Sequence, residues 1–167
     1  MIAFDHHPDP RVESSSHRDI SLVEVETGEV RPLVRRDGPD GDPHFSPDGR
    51  WILFSTQDGR FEYYLNSELA KVPVAGGEPV VLTNSFDEDA RALAWLPDGI
   101  RFIALERTHR RLYRLDPESG SIEVVTIGNA PEVIRSADFS RDGQAMAFQA
   151  EGPDSLDEIY RFRSGAK

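Results

Sequence analysis

The chain has 167 residues, with 19 Lys and Arg against 30 Asp and Glu, so its formal net charge is −11. This length suits one domain with a sizeable core, whereas the acidic balance argues against nucleic acid and against an anionic membrane surface as partners. No apolar run approaches the roughly 20 residues of a membrane span, and the lack of cysteine excludes disulfides, thiolate zinc sites and cysteine nucleophiles.

The first residues predict a strand and no targeting segment. Residues 1–4 are apolar, and the polar sequence DHHPDP follows directly at 5–10. A secretory signal would need a basic start and an apolar stretch of roughly 7–15 residues. A chain that opens within a strand suggests a segment cut from a longer protein. The cytoplasm is favoured as the compartment, because neither a signal peptide nor cysteine is present, although a secreted protein is not excluded.

An internal repeat dominates the sequence. Three segments have an aromatic-ended strand, an Asp-Gly turn and a second apolar strand, at 45–54, 95–105 and 139–148. Their turn residues are Asp48 and Gly49, Asp98 and Gly99, and Asp142 and Gly143. The glycines are spaced 50 and 44 residues apart. Asp-Gly between apolar strands is a strong hairpin signal, because glycine adopts positive φ at little cost.

A second type of hairpin alternates with the first. Its three copies span 20–34, 69–83 and 112–126, with turn glycines at 28, 77 and 120. Two hairpins in each period of 44–50 residues make a unit of four antiparallel strands, which is typical of a β-propeller blade. The one helix candidate, at 85–94, lies between strands with little room, so we expect a loop or at most one turn there.

The predicted fold is therefore all-β, a partial β-propeller of about three and a half four-stranded blades in a single domain. The expected boundaries are a partial blade at 1–35, blades at 42–84 and 91–127, and a partial blade at 135–162. In this phase, 1–4 is a second strand without its first, and 158–162 is a third strand without its fourth. Unpaired strand edges recruit other strands, so we expect a homo-oligomer formed through open blade edges.

The unit FSPDG, an apolar strand and the hairpin VAGGEPVVLT at 74–83 resembles the WD-like propeller repeats of the prolyl oligopeptidase family, which includes dipeptidyl peptidase IV. The propeller repeats of TolB are similar. The resemblance covers 20–162 and implies a propeller that caps a following α/β-hydrolase domain, where the catalytic residues would lie. No G-x-S-x-G nucleophile elbow occurs in this chain. No catalytic residue can therefore be assigned here, and whether the parent protein is an enzyme stays open.

Two functions follow from the resemblance. The first is a non-catalytic propeller segment of a serine peptidase, which selects peptides by size before they reach a hydrolase domain outside this chain. The alternative is a TolB-like module that binds a protein or peptide partner. A self-contained enzyme is the weakest hypothesis, because the sequence contains no recognisable pair of nucleophile and base. No cofactor is expected.

Several side-chain groups are candidates for binding. The acidic run Asp87-Glu88-Asp89 could face a ligand, such as a cationic amine, although a solvated loop is the simpler interpretation. The repeated acids Asp48, Asp98 and Asp142 are expected to shape their turns. The aromatic residues on the flanking strands are expected in the core; they are Phe45, Trp51, Phe54, Trp95, Phe102, Phe139 and Phe148.

The remaining groups predict no metal site. His6 and His7 are adjacent on a strand, so their side chains point to opposite faces and rarely hold one ion. The acids Asp37, Asp40 and Asp42 do not match calcium-loop spacing, and turn chemistry explains them better. His17, His44 and His109 are isolated. The basic cluster Arg107, His109, Arg110 and Arg111 could hold a carboxylate, but balancing acidic neighbours explains it more simply.

Overall fold

The computed structural model describes residues 1–7, 9–11 and 16–163. Within these ranges the chain forms β-strands joined by turns and contains no α-helix, so the described part holds no helix with the length and apolarity that crossing a membrane requires. The chain divides into two compact units, Met1–Ala90 and Arg91–Lys167.

The first unit contains two antiparallel sheets. A three-stranded sheet has the order β1-β2-β3, and its strands are β1 (Ile2–His6), β2 (Asp19–Val23) and β3 (Val30–Val34). A four-stranded sheet has the order β4-β5-β6-β7, and its strands are β4 (Gly41–Phe45), β5 (Trp51–Thr56), β6 (Glu68–Pro73) and β7 (Val80–Val81). Within each sheet, every strand therefore pairs with the next one along the chain, as expected for successive hairpins.

The second unit contains two further antiparallel groups of strands. The first has the order β8-β9-β10-β11 and comprises β8 (Arg91–Leu96), β9 (Gly99–Glu106), β10 (His109–Leu115) and β11 (Ile122–Val124). The second has the order β12-β13-β14 and comprises β12 (Val133–Phe139), β13 (Ala145–Gly152) and β14 (Ser155–Arg163). A single parallel bridge between Arg110 and Val133 joins them into one seven-stranded sheet.

Each unit has its own core, formed mainly by alternate residues of its strands. In the first unit the buried cluster combines both sheets and comprises Ile20, Leu22, Val34, Ile52, Phe54, Ala70 and Val72. In the second unit the cluster comprises Ile103, Leu112, Ile127, Ile134, Met146, Phe148 and Ala150. The spacing of two along β2, β5 and β13 places these side chains on one face. Full burial of such a side chain contributes about 1.5–3 kcal/mol.

The aromatic residues beside the Asp-Gly turns divide into two groups. Phe54, Phe102 and Phe148 are buried, and Phe45 and Phe139 pack at the margins of the two clusters. Trp51 and Trp95 are only partly buried. The Lys71 ammonium lies 4.9 Å from the centre of the Trp51 ring, so Trp51 makes a cation–π contact with this lysine.

The segment at 85–94 differs in part from the loop predicted for it. Residues 84–90 are turns and irregular backbone, but β8 begins at Arg91. Ala92 pairs with Phe102 and Trp95 with Ile100 in the β8–β9 hairpin. The run Arg91–Ala94 has the composition of a helix, but antiparallel pairing with β9 determines its conformation.

Candidate functional site

Long connections meet at one end of the four-stranded sheet. Residues 57–67 join β5 to β6, 35–40 lead into β4, and 82–90 leave β7. Gly41 pairs with Ser55 and Thr56 with Glu68, so these connections all lie at the same end. We call these three connections the loop face. The β9–β10 and β13–β14 turns have two residues each, so the eleven residues at 57–67 are unusual, and long ordered loops often carry function.

A buried polar network fixes the base of the loop face. Asp40 has no solvent exposure. Its carboxylate accepts hydrogen bonds from the Thr56 hydroxyl at 2.6 Å and from the Arg36 guanidinium at 3.0 and 3.3 Å. Arg36 also donates to Thr56 at 2.8 Å and to Asp58 at 3.4 Å. A buried carboxylate is tolerated only when it is paired and hydrogen-bonded, and this one is, so it holds the loop ends in place.

For Asp40 alone, this network differs from the turn chemistry predicted for Asp37, Asp40 and Asp42. Asp40 is a buried ion-pair partner, and Asp42 has φ of 54°. The Asp42 carboxylate lies 3.6 Å from His44 Nε2. Within the described residues, no group of three or more His, Asp or Glu is arranged to hold a metal ion.

The 57–67 loop is ordered by one side chain at its start. The Gln57 amide donates to the carbonyls of Glu62 and Leu65 at 3.3 and 3.1 Å and accepts from Glu62 N–H at 3.4 Å. The loop also packs closely against residues 35–40. A Cβ at Gly38, whose φ is +85°, would lie 2.7 Å from the Arg60 carbonyl carbon and closer still to its oxygen.

A concavity of about 470 Å³ lies between the loop and the segment after β7. Its polar lining includes Arg60, Asn66, Glu68, Asn84 and Asp87. Tyr64 borders it and is almost fully exposed. Amide, carboxylate and guanidinium groups around one recess can both donate and accept hydrogen bonds, which suits a polar ligand better than a purely apolar one.

The acidic run predicted as a ligand-facing loop is divided by the structure. Asp87 lines the concavity. Glu88 is half-buried. The Asp89 carboxylate accepts a hydrogen bond from the Ser67 N–H at 2.7 Å, and Ser67 is the last residue before β6. Asp89 therefore supports the 57–67 loop, and a ligand-facing role for Asp87, Glu88 and Asp89 stays a prediction.

The first Asp-Gly turn is built by a serine and an aspartate. The Ser46 hydroxyl donates to Asp48 Oδ1 at 2.6 Å and accepts the Trp51 N–H at 3.0 Å. The same carboxylate oxygen accepts the Arg50 N–H at 3.0 Å. Gly49 has φ of +69°, a conformation that favours glycine.

The third turn repeats these contacts. The Ser140 hydroxyl donates to Asp142 Oδ1 at 2.6 Å and accepts the Ala145 N–H at 2.9 Å, while Asp142 accepts the Gln144 N–H at 3.1 Å. Hydrogen bonds from the serine hydroxyl, and then from the backbone, lower the pKa of Asp48 and of Asp142. The carboxylates thus stay charged and bind their own turns.

The second turn differs, although the sequence pattern treats all three as equivalent. Leu96 replaces the serine and pairs directly with Gly99, which gives a two-residue turn. The Asp98 carboxylate instead accepts a hydrogen bond from the Arg101 guanidinium at 2.6 Å. Without a serine hydroxyl, the aspartate has no side-chain donor within the turn, so it pairs along the following strand.

Two members of the basic cluster pair with acids of their own unit. Arg111 lies 3.3 Å from Glu106, and His109 Nε2 lies 3.2 Å from Glu132. Arg107 has φ of 58° in the β9–β10 turn. At the start of the chain, His6 Nε2 hydrogen-bonds the Ser21 hydroxyl at 2.9 Å. These contacts give Arg111, His109 and His6 partners within the protein.

Sequence reasoning missed the loop face, although one signal for it is present. The turn glycine of an Asp-Gly hairpin and that of the hairpin after it lie 28 residues apart in one unit, at 49 and 77. In the next unit they lie only 21 residues apart, at 99 and 120. The 57–67 connection is the source of this difference, because it is nine residues longer than the β9–β10 turn, while the stretch from β6 to Gly77 is two residues shorter than its counterpart. No local pattern indicates the Asp40 network, because Thr56 lies 16 residues further along the chain.

No family model matches the chain. Among curated proteins, dipeptidyl-peptidase 5 of Porphyromonas gingivalis is 27% identical over 151 residues, which cover 88% of this chain and 21% of that protein. The solved structure of TolB from Acinetobacter baumannii matches with a TM-score of 0.72 and 22% identity, over 90% of this chain and 36% of TolB. The β-propeller domain of the Trilobed protease from Pyrococcus furiosus matches with a TM-score of 0.64 and 18% identity, over 90% of this chain and 42% of that domain's chain.

These similarities establish the fold. Solved structures below 25% identity indicate the fold alone. The fold that TolB and the Trilobed protease domain share with this chain is the β-propeller. The all-β partial propeller predicted from the repeat is confirmed. This chain spans about a fifth of dipeptidyl-peptidase 5 and little more than a third of TolB.

Proposed function

We propose that the chain is a non-catalytic propeller segment of a prolyl-oligopeptidase-like serine peptidase, and that it gates the access of peptides to a hydrolase domain outside this chain. The observation that carries the proposal is the similarity to dipeptidyl-peptidase 5, which extends over 88% of this chain but only 21% of that protein. The similarity therefore concerns one part of a peptidase.

The side chains of the described residues support a non-catalytic role. The conspicuous polar groups serve the fold: Asp40 pairs with Arg36, His6 bonds to Ser21, and the serines of the Asp-Gly turns bond to their own aspartates. A catalytic nucleophile needs a base within hydrogen-bond reach and a third group that orients the base, whereas the groups named here bond to structural partners.

A propeller segment selects substrates sterically, since a folded protein cannot pass an opening that admits an extended peptide.

A TolB-like binding module is the second candidate. The TM-score of 0.72 to TolB favours it, and so does the loop face, whose concavity could receive a peptide without chemistry. The two candidates differ in whether the native polypeptide contains a reactive serine.

The gating proposal is tested on the native polypeptide, captured from source cells with an antibody to this segment. One cleavable sequence is presented in peptides of increasing length and within a folded protein. We expect cleavage of the short peptides and at least a hundredfold slower cleavage of the folded protein. Equal rates on the folded protein and on the short peptides would contradict gating.

A further inference from the structure

We propose that the aromatic part of the 57–67 loop and the adjoining concavity form a docking surface for a polypeptide segment in which Lys or Arg is flanked by apolar residues. The inference goes beyond the gating role, because the surface belongs wholly to the first unit of this chain and requires no hydrolase domain. It is independent of whether the native protein is a peptidase.

The aromatic side chains of this loop are unusually exposed. Tyr64 is 98% exposed, Tyr63 87% and Phe61 41%. The described residues contain four exposed aromatic side chains, and only Phe162 lies elsewhere. Phe61 and Tyr63 meet edge to face at 5.0 Å. Tyrosine and phenylalanine are enriched at the centres of protein interfaces, where they supply contact area at little conformational cost.

The loop that presents these aromatics is already ordered. The Gln57 side chain bonds to the backbone on both sides of Tyr63 and Tyr64, at Glu62 and Leu65. Beneath it, Arg36 ties Asp58 to the buried Asp40. A surface fixed before binding loses less entropy on association than a flexible one, so the exposed tyrosines can serve as anchors.

Charge decides which occupant fits. Glu68 and Asp87 line the concavity together with one cation, Arg60, and Glu62 stands between Phe61 and Tyr63 in the sequence. Carboxylates beside aromatic rings favour a cationic side chain, which can bind both by charge and over a ring face. The chain's net charge of −11 disfavours a nucleic acid.

The remaining lining suits a peptide backbone. Asn66 and Asn84 border the same recess, and a carboxamide both donates and accepts hydrogen bonds. An extended peptide would place its main chain against these amides and its apolar side chains against the tyrosines. A cation with apolar neighbours on either side matches the combined surface.

The test measures fluorescence anisotropy of three labelled heptapeptides titrated with the 167-residue chain. Each peptide carries a central Arg-Lys pair flanked by Leu, Phe or Pro. A matched set has Glu in place of both cations. We expect saturable binding for at least one cationic peptide, and at least tenfold weaker binding for its Glu counterpart. Raising the salt concentration should weaken the binding several-fold, because part of it is electrostatic.

Variants then locate the surface. Exchange of both tyrosines, Tyr63→Ala with Tyr64→Ala, should weaken binding at least tenfold, and Asp87→Asn about threefold. The control Val25→Ala removes a 62% exposed side chain from the turn between β2 and β3 and should leave affinity unchanged. All exchanged side chains are exposed, so circular dichroism should report an intact fold.

Three results would overturn the proposal. One is the absence of saturable binding below 1 mM for every cationic peptide. Another is equal loss of affinity in the tyrosine variant and in the Val25→Ala control. The last is binding of the Glu peptides, or of a neutral oligosaccharide, as tight as that of the cationic peptides, since the aromatics would then recognise a different class of ligand.

Discussion

Serine and aspartate in the Asp-Gly turns act as a pair. In the first and third turns the serine hydroxyl accepts a hydrogen bond from a backbone N–H and donates one to the aspartate carboxylate, which accepts a second backbone N–H. Each turn thus satisfies two backbone donors through two side chains. Each of these hydrogen bonds makes a net contribution of roughly 0.5–1.5 kcal/mol to folding stability, so the serine and aspartate together stabilise the turn more than either residue alone.

The first prediction concerns acid. The pKa of Asp142 is lowered in the folded chain, mainly by the Ser140 hydroxyl and then by Gln144 N–H. Its contribution to stability is therefore complete above the unfolded pKa of about 3.9 and is lost as pH falls through the folded pKa. The difference in free energy of unfolding between the wild type and Asp142→Asn should be constant from pH 7 to about pH 5 and should shrink below about pH 4.

Urea denaturation at each pH measures this difference. Repeating the comparison in a Ser140→Ala background should weaken the pH dependence, because the principal donor to Asp142 is then absent. An unchanged pH profile in that background would contradict the assignment of the hydroxyl as the main cause.

The second prediction concerns the buried carboxylate at the base of the loop face. Asp40→Asn keeps the volume but leaves Arg36 without its buried partner. Removing one member of a buried ion pair costs about 3–5 kcal/mol. Because Arg36 remains partly exposed and also contacts Asp58, we expect about 2–3 kcal/mol. Asp42→Asn, an exposed exchange in the same segment, should change stability by less than about 0.5 kcal/mol. Equal losses in the two variants would refute the special role of Asp40.

At the level of the elements, the two connections 35–40 and 57–67 determine each other's shape. Gly38 touches the Arg60 backbone, and Arg36 reaches Asp58. Shifting either connection would move the aromatic side chains of the loop. The position of Phe61, Tyr63 and Tyr64 therefore depends on residues more than twenty positions earlier in the chain.

The third prediction compares two glycines with similar φ. Gly38→Ala places a methyl group against the Arg60 carbonyl, whereas Gly76, with φ of +94°, has open space around it. Gly76→Ala should cost about 1 kcal/mol from its backbone conformation alone. Gly38→Ala should cost about 1–3 kcal/mol more from overpacking and should speed proteolysis within 57–67. Thermal denaturation and limited proteolysis of both variants provide the comparison, and equal behaviour would contradict the contact.

The hairpins could be predicted because their signals are local. Asp-Gly turns and alternating apolar residues indicate strand pairs within about 15 residues, and β4–β5 and β12–β13 follow that pattern. The exception is instructive: Leu96 replaces a serine, and the second turn adopts a different geometry. The candidate site escaped prediction because it depends on long-range contacts, such as Thr56 with Asp40, and on a loop whose length is conspicuous only beside its copies.

At the scale of the whole molecule, β14 is an edge strand of its sheet with exposed apolar side chains. Leu156, Ile159 and Phe162 are exposed on it, and β13 is its partner in the described sheet order. Edge strands with exposed apolar residues are prone to pair with other chains. Self-association through such edges remains a proposal, distinct from the docking surface of the loop face.

The fourth prediction follows from that edge. The 167-residue chain should form dimers at micromolar concentration, measured by sedimentation velocity. Ile159→Lys should return it to the monomer, because charge on an edge strand blocks pairing, whereas Val25→Lys, at an exposed position away from β14, should not. A monodisperse wild-type monomer would contradict the proposal.

The central claim is that this propeller segment serves a serine peptidase. Its most direct test is to treat source-cell extract with a fluorophosphonate probe for reactive serines and to immunoprecipitate with an antibody to this segment. The account predicts a labelled polypeptide several-fold larger than 18.7 kDa. A captured polypeptide without label, whatever its size, would contradict the peptidase assignment and leave the binding module as the function to pursue.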